Sequence, residues 1–202
     1  MSTTRSRSVL AFVVFAILFA QVLLYPGIDA LVAEYGAETR LDASMWFLAA
    51  EFAAFVAFAA VWGAISDAAG RRVPFIVAGA AGGALGYAAL AILPTSLDLP
   101  FGAVLGLRVL QGAATIGAFS LSMTMLMDLE GGHGRNMGAA GIAIGLGTAL
   151  GAPVGGQLYE LGALAPLYAA SALLVGVAVL ASVVADRTPE ANSDGIADVV
   201  RS

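Results

Sequence analysis

The sequence predicts an all-α membrane protein, a bundle of six transmembrane helices. Three observations predict it. The chain is 60% hydrophobic and only 11% charged, with mean hydropathy +0.91, whereas soluble domains carry roughly 25% charged residues. Its apolar residues gather in stretches long enough to cross a hydrocarbon core of about 30 Å, which takes about 20 helical residues. Within each stretch they run continuously rather than alternating. That excludes transmembrane β-strands, and a backbone in lipid must then satisfy its own hydrogen bonds as a helix.

The spans follow in order. They are placed near Val9–Val32, Ala43–Ser66, Pro74–Leu93, Pro100–Met127, Met137–Tyr159 and Leu164–Ala185. The breaks fall at polar or turn-forming clusters: Glu34 to Asp42, Asp67 to Arg72, Pro94 to Asp98, Asp128 to Asn136, and Glu160 to Gly162. Each break is short, so neighbouring helices run antiparallel. Span one is too long for the roughly 7–15-residue core of a cleaved leader. The Tyr25-Pro26-Gly27-Ile28-Asp29 run also offers no small-residue cleavage site. Residues 1–8 read as a cytoplasmic N-terminus and 9–185 as the transmembrane domain. Residues 186–202 are polar, with Pro189 and Gly195, and read as a disordered cytoplasmic tail.

Arginine placement sets the direction, because cytoplasmic loops carry the excess of basic residues. With the N-terminus inside, the inner segments hold Arg5, Arg7, Arg71, Arg72, Arg135, Arg187 and Arg201, and the outer loops hold Arg40. The expected protein is a multi-pass plasma-membrane protein with both ends in the cytoplasm and the lipid bilayer as its surroundings. An acidic pI near 4.6 argues against nucleic acid as a partner. The chain has no cysteine and one histidine, His133, so a cysteine or multi-histidine metal site is excluded and no cofactor is expected. Nor does any span hold a serine–histidine pair or paired catalytic carboxylates, so an enzyme is not expected.

Ionisable groups inside a membrane cost roughly 2.5–3.5 kcal/mol each on insertion scales. Glu51 and Arg108 each lie eight residues into spans entered from outside, about 12 Å down. Opposite charges at one depth suit each other as partners. Gln111 lies one turn below Arg108, Gln21 near the middle of span one, and Asp29 one turn beyond Pro26 near its outer end. Together they are candidates for a polar substrate or proton-coupling site. The alternative for Glu51 and Arg108 is a structural pair that locks helix packing. For Asp29 it is contact with the outer headgroups, and for the two glutamines hydrogen bonding between helices. Span five carries Gly138, Gly141, Gly145, Gly147, Gly151, Gly155 and Gly156 around Pro153. Small residues at this spacing let helices meet closely, and the proline predicts a bend.

Between spans two and three the chain reads Gly63-Ala64-Ile65-Ser66-Asp67-Ala68-Ala69-Gly70-Arg71-Arg72. This resembles the major facilitator superfamily signature G-x-[LI]-[AS]-D-x-x-G-R-[RK] at every fixed position, and it sits in the expected loop. Arg108-Val109-Leu110-Gln111-Gly112 is similar to the family's R-x-x-Q-G element, associated with proton coupling. Gly138, Gly147, Gly151, Gly155 and Gly156 match the spacing of the antiporter element G-x8-G-x3-G-P-x2-G-G. There the chain departs from the pattern, with Ala152 where proline is expected and Pro153 one residue later.

The resemblance implies the N-terminal six-helix half of a carrier of the drug/proton antiporter-like branch. It implies proton-coupled efflux of drugs or small metabolites, with Glu51, Arg108, Gln111, Gln21 and Asp29 at the coupling site. Gly63, Asp67, Gly70, Arg71 and Arg72 would form a gating loop, and Gly138, Gly147, Gly151, Pro153, Gly155 and Gly156 a bending element. A second six-helix half, or a second copy, is expected as partner, because a lone half would turn Glu51, Arg108 and Gln111 toward lipid; the other outcome is that the six helices close on themselves and pair Glu51 with Arg108 internally. The alternative is a truncated or regulatory membrane protein without transport. The topology has a direct check in this cysteine-free chain. A cysteine at position 38 should react with a membrane-impermeant reagent from outside intact cells, and labelling only from the cytoplasmic side would overturn the N-in, C-in arrangement.

Overall fold

Runs this apolar leave the backbone little choice, and each becomes a helix. The computed structural model describes residues 3–37 and 40–184. The expected tail at 186–202 and position 38 lie outside these. The helices are α1 (Thr3–Val22), α2 (Ile28–Glu34), α3 (Arg40–Ala68), α4 (Val73–Ser96), α5 (Phe101–Met127), α6 (His133–Tyr159) and α7 (Ala165–Ser182). Six helical segments are long and apolar enough to cross a membrane, the first running from Thr3 to Glu34 through α1 and α2. The chain is an all-α, multi-pass membrane protein.

Two expectations need correction, and proline explains both. Span one is not a single helix. It breaks after Val22, passes through a 3-10 turn at Tyr25–Gly27 and restarts as α2. Pro26 has no N–H to give to the preceding turn. At this break the Leu24 carbonyl accepts the Tyr159 hydroxyl at 2.9 Å. Conversely, Pro94 does not end span three, since α4 continues to Ser96 with Pro94 inside it. The carbonyl that Pro94 cannot serve, that of Leu90, accepts the Tyr35 hydroxyl at 2.9 Å. In a medium without water such carbonyls need a side-chain donor, and the two tyrosines supply it.

The loop after α3 closes as a Schellman cap. Gly70 has φ +61, its N–H bonds the Asp67 carbonyl, and the Arg71 N–H bonds the Ser66 carbonyl. The left-handed residue at this position is where a glycine carries least strain.

Packing follows from small residues. α4 lies against α5 and α7, α3 against α5, and α1 against α6. α4 meets α5 through glycines: a Cβ on Gly79 would lie 2.6 Å from the Ala118 backbone nitrogen, and one on Gly86 2.5 Å from Gln111 Cβ. α6 meets α1 the same way. A Cβ on Gly147 would lie 2.8 Å from the Phe15 carbonyl oxygen, and one on Gly155 would run into the Leu23 carbonyl. With Gly151 between them, where a Cβ would lie 2.8 Å from Val22 Cβ, these glycines four apart form a groove that receives the α1 backbone. Gly138, Gly141 and Gly145 face open space, and Gly156 only approaches Pro26 at 4.0 Å. α6 stays helical from His133 to Tyr159, Pro153 included. The outward faces of α3 and α6 are apolar, with Trp46, Phe52 and Val56 on one and Ile142, Leu146 and Leu150 on the other.

These contacts separate the glycines by role. Gly155→Ala should destabilise the bundle by about 1–3 kcal/mol through overpacking, whereas Gly138→Ala should leave it unchanged or slightly steadier. Thermal unfolding of the two purified variants in one detergent checks this. Equal loss at both positions would remove the α1–α6 groove as the cause.

Candidate functional site

A carboxylate and a guanidinium buried together must satisfy one another, and here they do. Glu51 on α3 and Arg108 on α5 are both fully buried, 0% exposed, with Arg108 Nη2 donating to Glu51 Oε2 at 2.6 Å. Gln21 Nε2 on α1 donates to the same oxygen at 3.3 Å. Arg108 Nη1 donates to Gln111 Oε1 at 2.6 Å, and Gln111 Nε2 donates to Thr115 Oγ1 at 2.8 Å. Thr115 closes the chain by donating to the Gln111 carbonyl. The guanidinium also lies over the Phe47 ring, 4.6 Å from its centroid, and 5.7 Å from that of Tyr87. Cation–π attraction adds to the ion pair when both partners are dry.

The local fold explains the assembly. Gly86 lets α4 ride directly over Gln111. Gly112 brings α5 close to the Glu51 backbone, where an added Cβ would lie 3.2 Å from the Glu51 carbonyl oxygen. Phe47 stands one turn before Glu51 on α3, so one helix face presents both the anion and the ring that covers the cation. The pairing is monodentate. Glu51 Oε1 and Arg108 Nε, the atoms that a bidentate fork would join, have no hydrogen-bond partner, and neither has the Tyr87 hydroxyl.

The structure brings together Gln21, Glu51, Arg108 and Gln111 from three helices. It corrects the expectation that a lone six-helix unit turns Glu51, Arg108 and Gln111 toward lipid. All three are enclosed, because α3 and α5 pack tightly enough to pair the charges internally. Asp29 stands apart, exposed on α2 at the far end of span one. Three participants escaped the sequence reading: Thr115, Phe47 and Tyr87. A tyrosine in the middle of an apolar span, beside a glycine, was the available signal for the last, since a buried hydroxyl seeks a partner.

The signature loop lies at the arginine-bearing end. Arg72 pairs with Asp67 at 3.5 Å and also with Asp128 at the end of α5. One cation therefore ties the α3–α4 loop to the α5 terminus. Gly63 faces open space. A second tie at this end was missed. Arg7, almost buried, donates from Nε to Asn136 Oδ1 at 2.8 Å and from Nη2 to the Glu130 carbonyl at 2.6 Å. Asn136 in turn donates to the Leu129 carbonyl. These bonds fasten the start of α1 to the α5–α6 loop.

The sequence profile of the Major Facilitator Superfamily matches residues 10–200. The chain belongs to the major facilitator superfamily. It is also 36% identical over 126 residues to the protein named "Tetracycline resistance protein, class G" of Vibrio anguillarum, across 62% of this chain and 30% of that relative. The chain thus spans only a part of that relative's length. As a major facilitator chain it is a multi-pass membrane protein.

The ion pair also has a structural weight that is measurable. Glu51→Ala leaves Arg108 buried without its anion and should cost about 3–5 kcal/mol, whereas replacing both by apolar residues of similar size should recover most of that. Thermal unfolding of Glu51→Ala and of Glu51→Leu with Arg108→Met checks it. A double variant as unstable as the single one would show that the pair itself, rather than the lone charge, carries the cost.

Proposed function

We propose that this chain is the N-terminal six-helix half of a proton-coupled carrier that exports drugs or small metabolites. Both termini lie in the cytoplasm, the carrier resides in the plasma membrane, and the half works against a second six-helix half, in the same polypeptide or another, or against a second copy. The observation that carries the reading is the enclosed Glu51–Arg108–Gln111 cluster. It sets an ionisable carboxylate in a dry site, held by the Arg108 cation and the Gln21 amide, against the residues that resemble the family's R-x-x-Q-G element. Protonation of such a group would neutralise it and change what the buried cation holds, and that is the change coupling requires. Carriers of this superfamily rock two six-helix halves around a midplane site. In this reading the Asp67–Arg72–Asp128 tie holds one end shut, and the α1–α6 seam transmits the movement.

One observation favours the second reading, a membrane protein without transport. The charges close on themselves inside six helices, so the bundle has no electrostatic need of a partner.

The test is uptake into proteoliposomes under a pH gradient, with and without a six-helix second half of the family. Tetracycline is the first solute to try, because the relative is named for resistance to it. Gradient-driven uptake only with the second half supports the reading. A six-helix monomer that transports alone at carrier rates overturns the half-unit assignment, and no uptake in either preparation across the drug classes tried supports the second reading. In the assembled carrier Asp67→Asn should lower turnover about tenfold, near 1.4 kcal/mol of barrier, with substrate affinity held. Collapsed affinity at unchanged turnover would remove the loop from gating.

A further inference from the structure

We propose that Tyr87 is a functional member of the ion-pair site, the hydrogen-bond acceptor for the proton that Glu51 carries in its neutral form. This rests on the reading of Glu51 as the proton-carrying group.

As an anion Glu51 accepts only, and everything around it donates: Arg108 Nη2 and Gln21 Nε2 both point to Oε2. A protonated carboxyl is different, because it has one O–H to give away. Oε2 is already faced by two N–H groups, so the incoming proton belongs on Oε1, which has no partner. Its O–H then needs an acceptor, since a buried unsatisfied donor is costly. The neighbouring acceptors are occupied. Gln111 Oε1 takes Arg108 Nη1, and Thr115 Oγ1 takes Gln111 Nε2 while donating to the Gln111 carbonyl. Besides Glu51 Oε1 itself, the Tyr87 hydroxyl is the oxygen of this cluster that is buried without a hydrogen-bond partner among the described residues. It flanks the same guanidinium as Glu51 and interacts electrostatically with both. The other orphaned hydroxyls, Ser6, Ser120 and Ser122, are remote. Ser120 and Ser122 lie 12 and 14 residues beyond Arg108 on α5, about 18–21 Å along the axis.

The charged and titratable groups that face Glu51 are Arg108 on α5, Tyr25 in the turn after α1 and Tyr87 on α4. Tyr25 is drawn to Gln21, while Tyr35 and Tyr159 feel the Arg108 charge but give their hydroxyls to the Leu90 and Leu24 carbonyls. Proton uptake thus neutralises Oε1 and Oε2 together. Arg108 keeps its charge on Gln111 and the two rings, and Tyr87 takes the new O–H. The monodentate geometry suits this exchange, because Oε1 is free to be protonated before the Arg108 bond breaks.

The experiment is an infrared difference titration of the full chain in lipid nanodiscs, reading the carboxylic-acid C=O band. Glu51→Gln assigns the band. Tyr87→Phe keeps the ring against Arg108 and removes only the hydroxyl. Losing the acceptor destabilises the neutral acid, so the midpoint should move toward acid by roughly half to one pH unit, the worth of one hydrogen bond. In the unaltered chain the tyrosine C–O band should shift in step with the Glu51 band and stay still in Glu51→Gln, a readout that does not depend on how Tyr87→Phe folds. If Glu51 titrates but Tyr87→Phe leaves its midpoint unchanged, or the tyrosine band does not follow, the role of Tyr87 is overturned. If no acid band is lost in Glu51→Gln, Glu51 is not the proton carrier, and the underlying reading fails with it.

Discussion

The ion pair between Glu51 and Arg108 is the constraint around which the bundle is built. A charge left alone in a medium without water is among the most destabilising features a helix can carry. These two residues enter on different helices, so α3 and α5 must meet with the anion and cation at one level. Satisfying that pair fixes the rest. Gln111 must face Arg108 from the next turn, Gln21 must reach over from α1, and Phe47 and Tyr87 must cover the cation. Each of these positions constrains a further helix, and the register of α1, α3, α4 and α5 follows from one contact.

Close approach is what makes that register attainable. Helices in lipid gain nothing from hiding apolar surface, because the surroundings are equally apolar, and they associate through packing and polar contacts. Gly86 and Gly112 remove the side chains that would hold α4 and α5 away from Gln111 and Glu51. Gly147 and Gly155 let α1 settle on α6, which in turn brings Gln21 over Glu51. The glycines and the charges are thus one design: without the first, the hydrogen bonds of the second are out of reach.

Much of this was legible in the sequence, for physical reasons. Continuous apolar runs leave helix as the only backbone solution, so the six spans and the all-α class follow from hydropathy. The resemblance in the Asp67 loop and around Arg108 pointed to the family to which the chain belongs. The depth of Glu51 and Arg108 pointed to a pair, but whether it closed inside the six helices or faced outward stayed open, because depth says nothing about which way a helix is turned. Helix ends were misread at Pro26 and Pro94 because a proline's effect depends on which partners the surrounding carbonyls find. Tyr35 serves the carbonyl that Pro94 abandons, and Tyr159 caps a carbonyl at the Pro26 break; both are distant in sequence. The Arg7–Asn136 tie was hidden for a similar reason. Arg7 counted as one more basic residue at a membrane end, and nothing local marks it as almost buried.

The internal closure of the charges also changes what a partner half would have to do. Were Glu51 and Arg108 facing lipid, a second half would be needed simply to shield them, and its removal would unfold the bundle. With the ion pair made inside, the bundle needs no partner to shield it, and on the proposed reading a second half would meet it through the apolar outer faces of α3 and α6. Apolar faces in a membrane exchange lipid for helix with little change in free energy, so contact there can form and slide without disturbing the pair. On the proposed reading, rocking of the halves would have to be accompanied by motion between α1, α3 and α5 before Glu51 becomes accessible. The hydrogen bond from Gln21, at 3.3 Å the longest in the cluster, is where that motion meets least resistance, because a long bond from a neutral amide on α1 yields before the 2.6 Å bond between two opposite charges on α3 and α5.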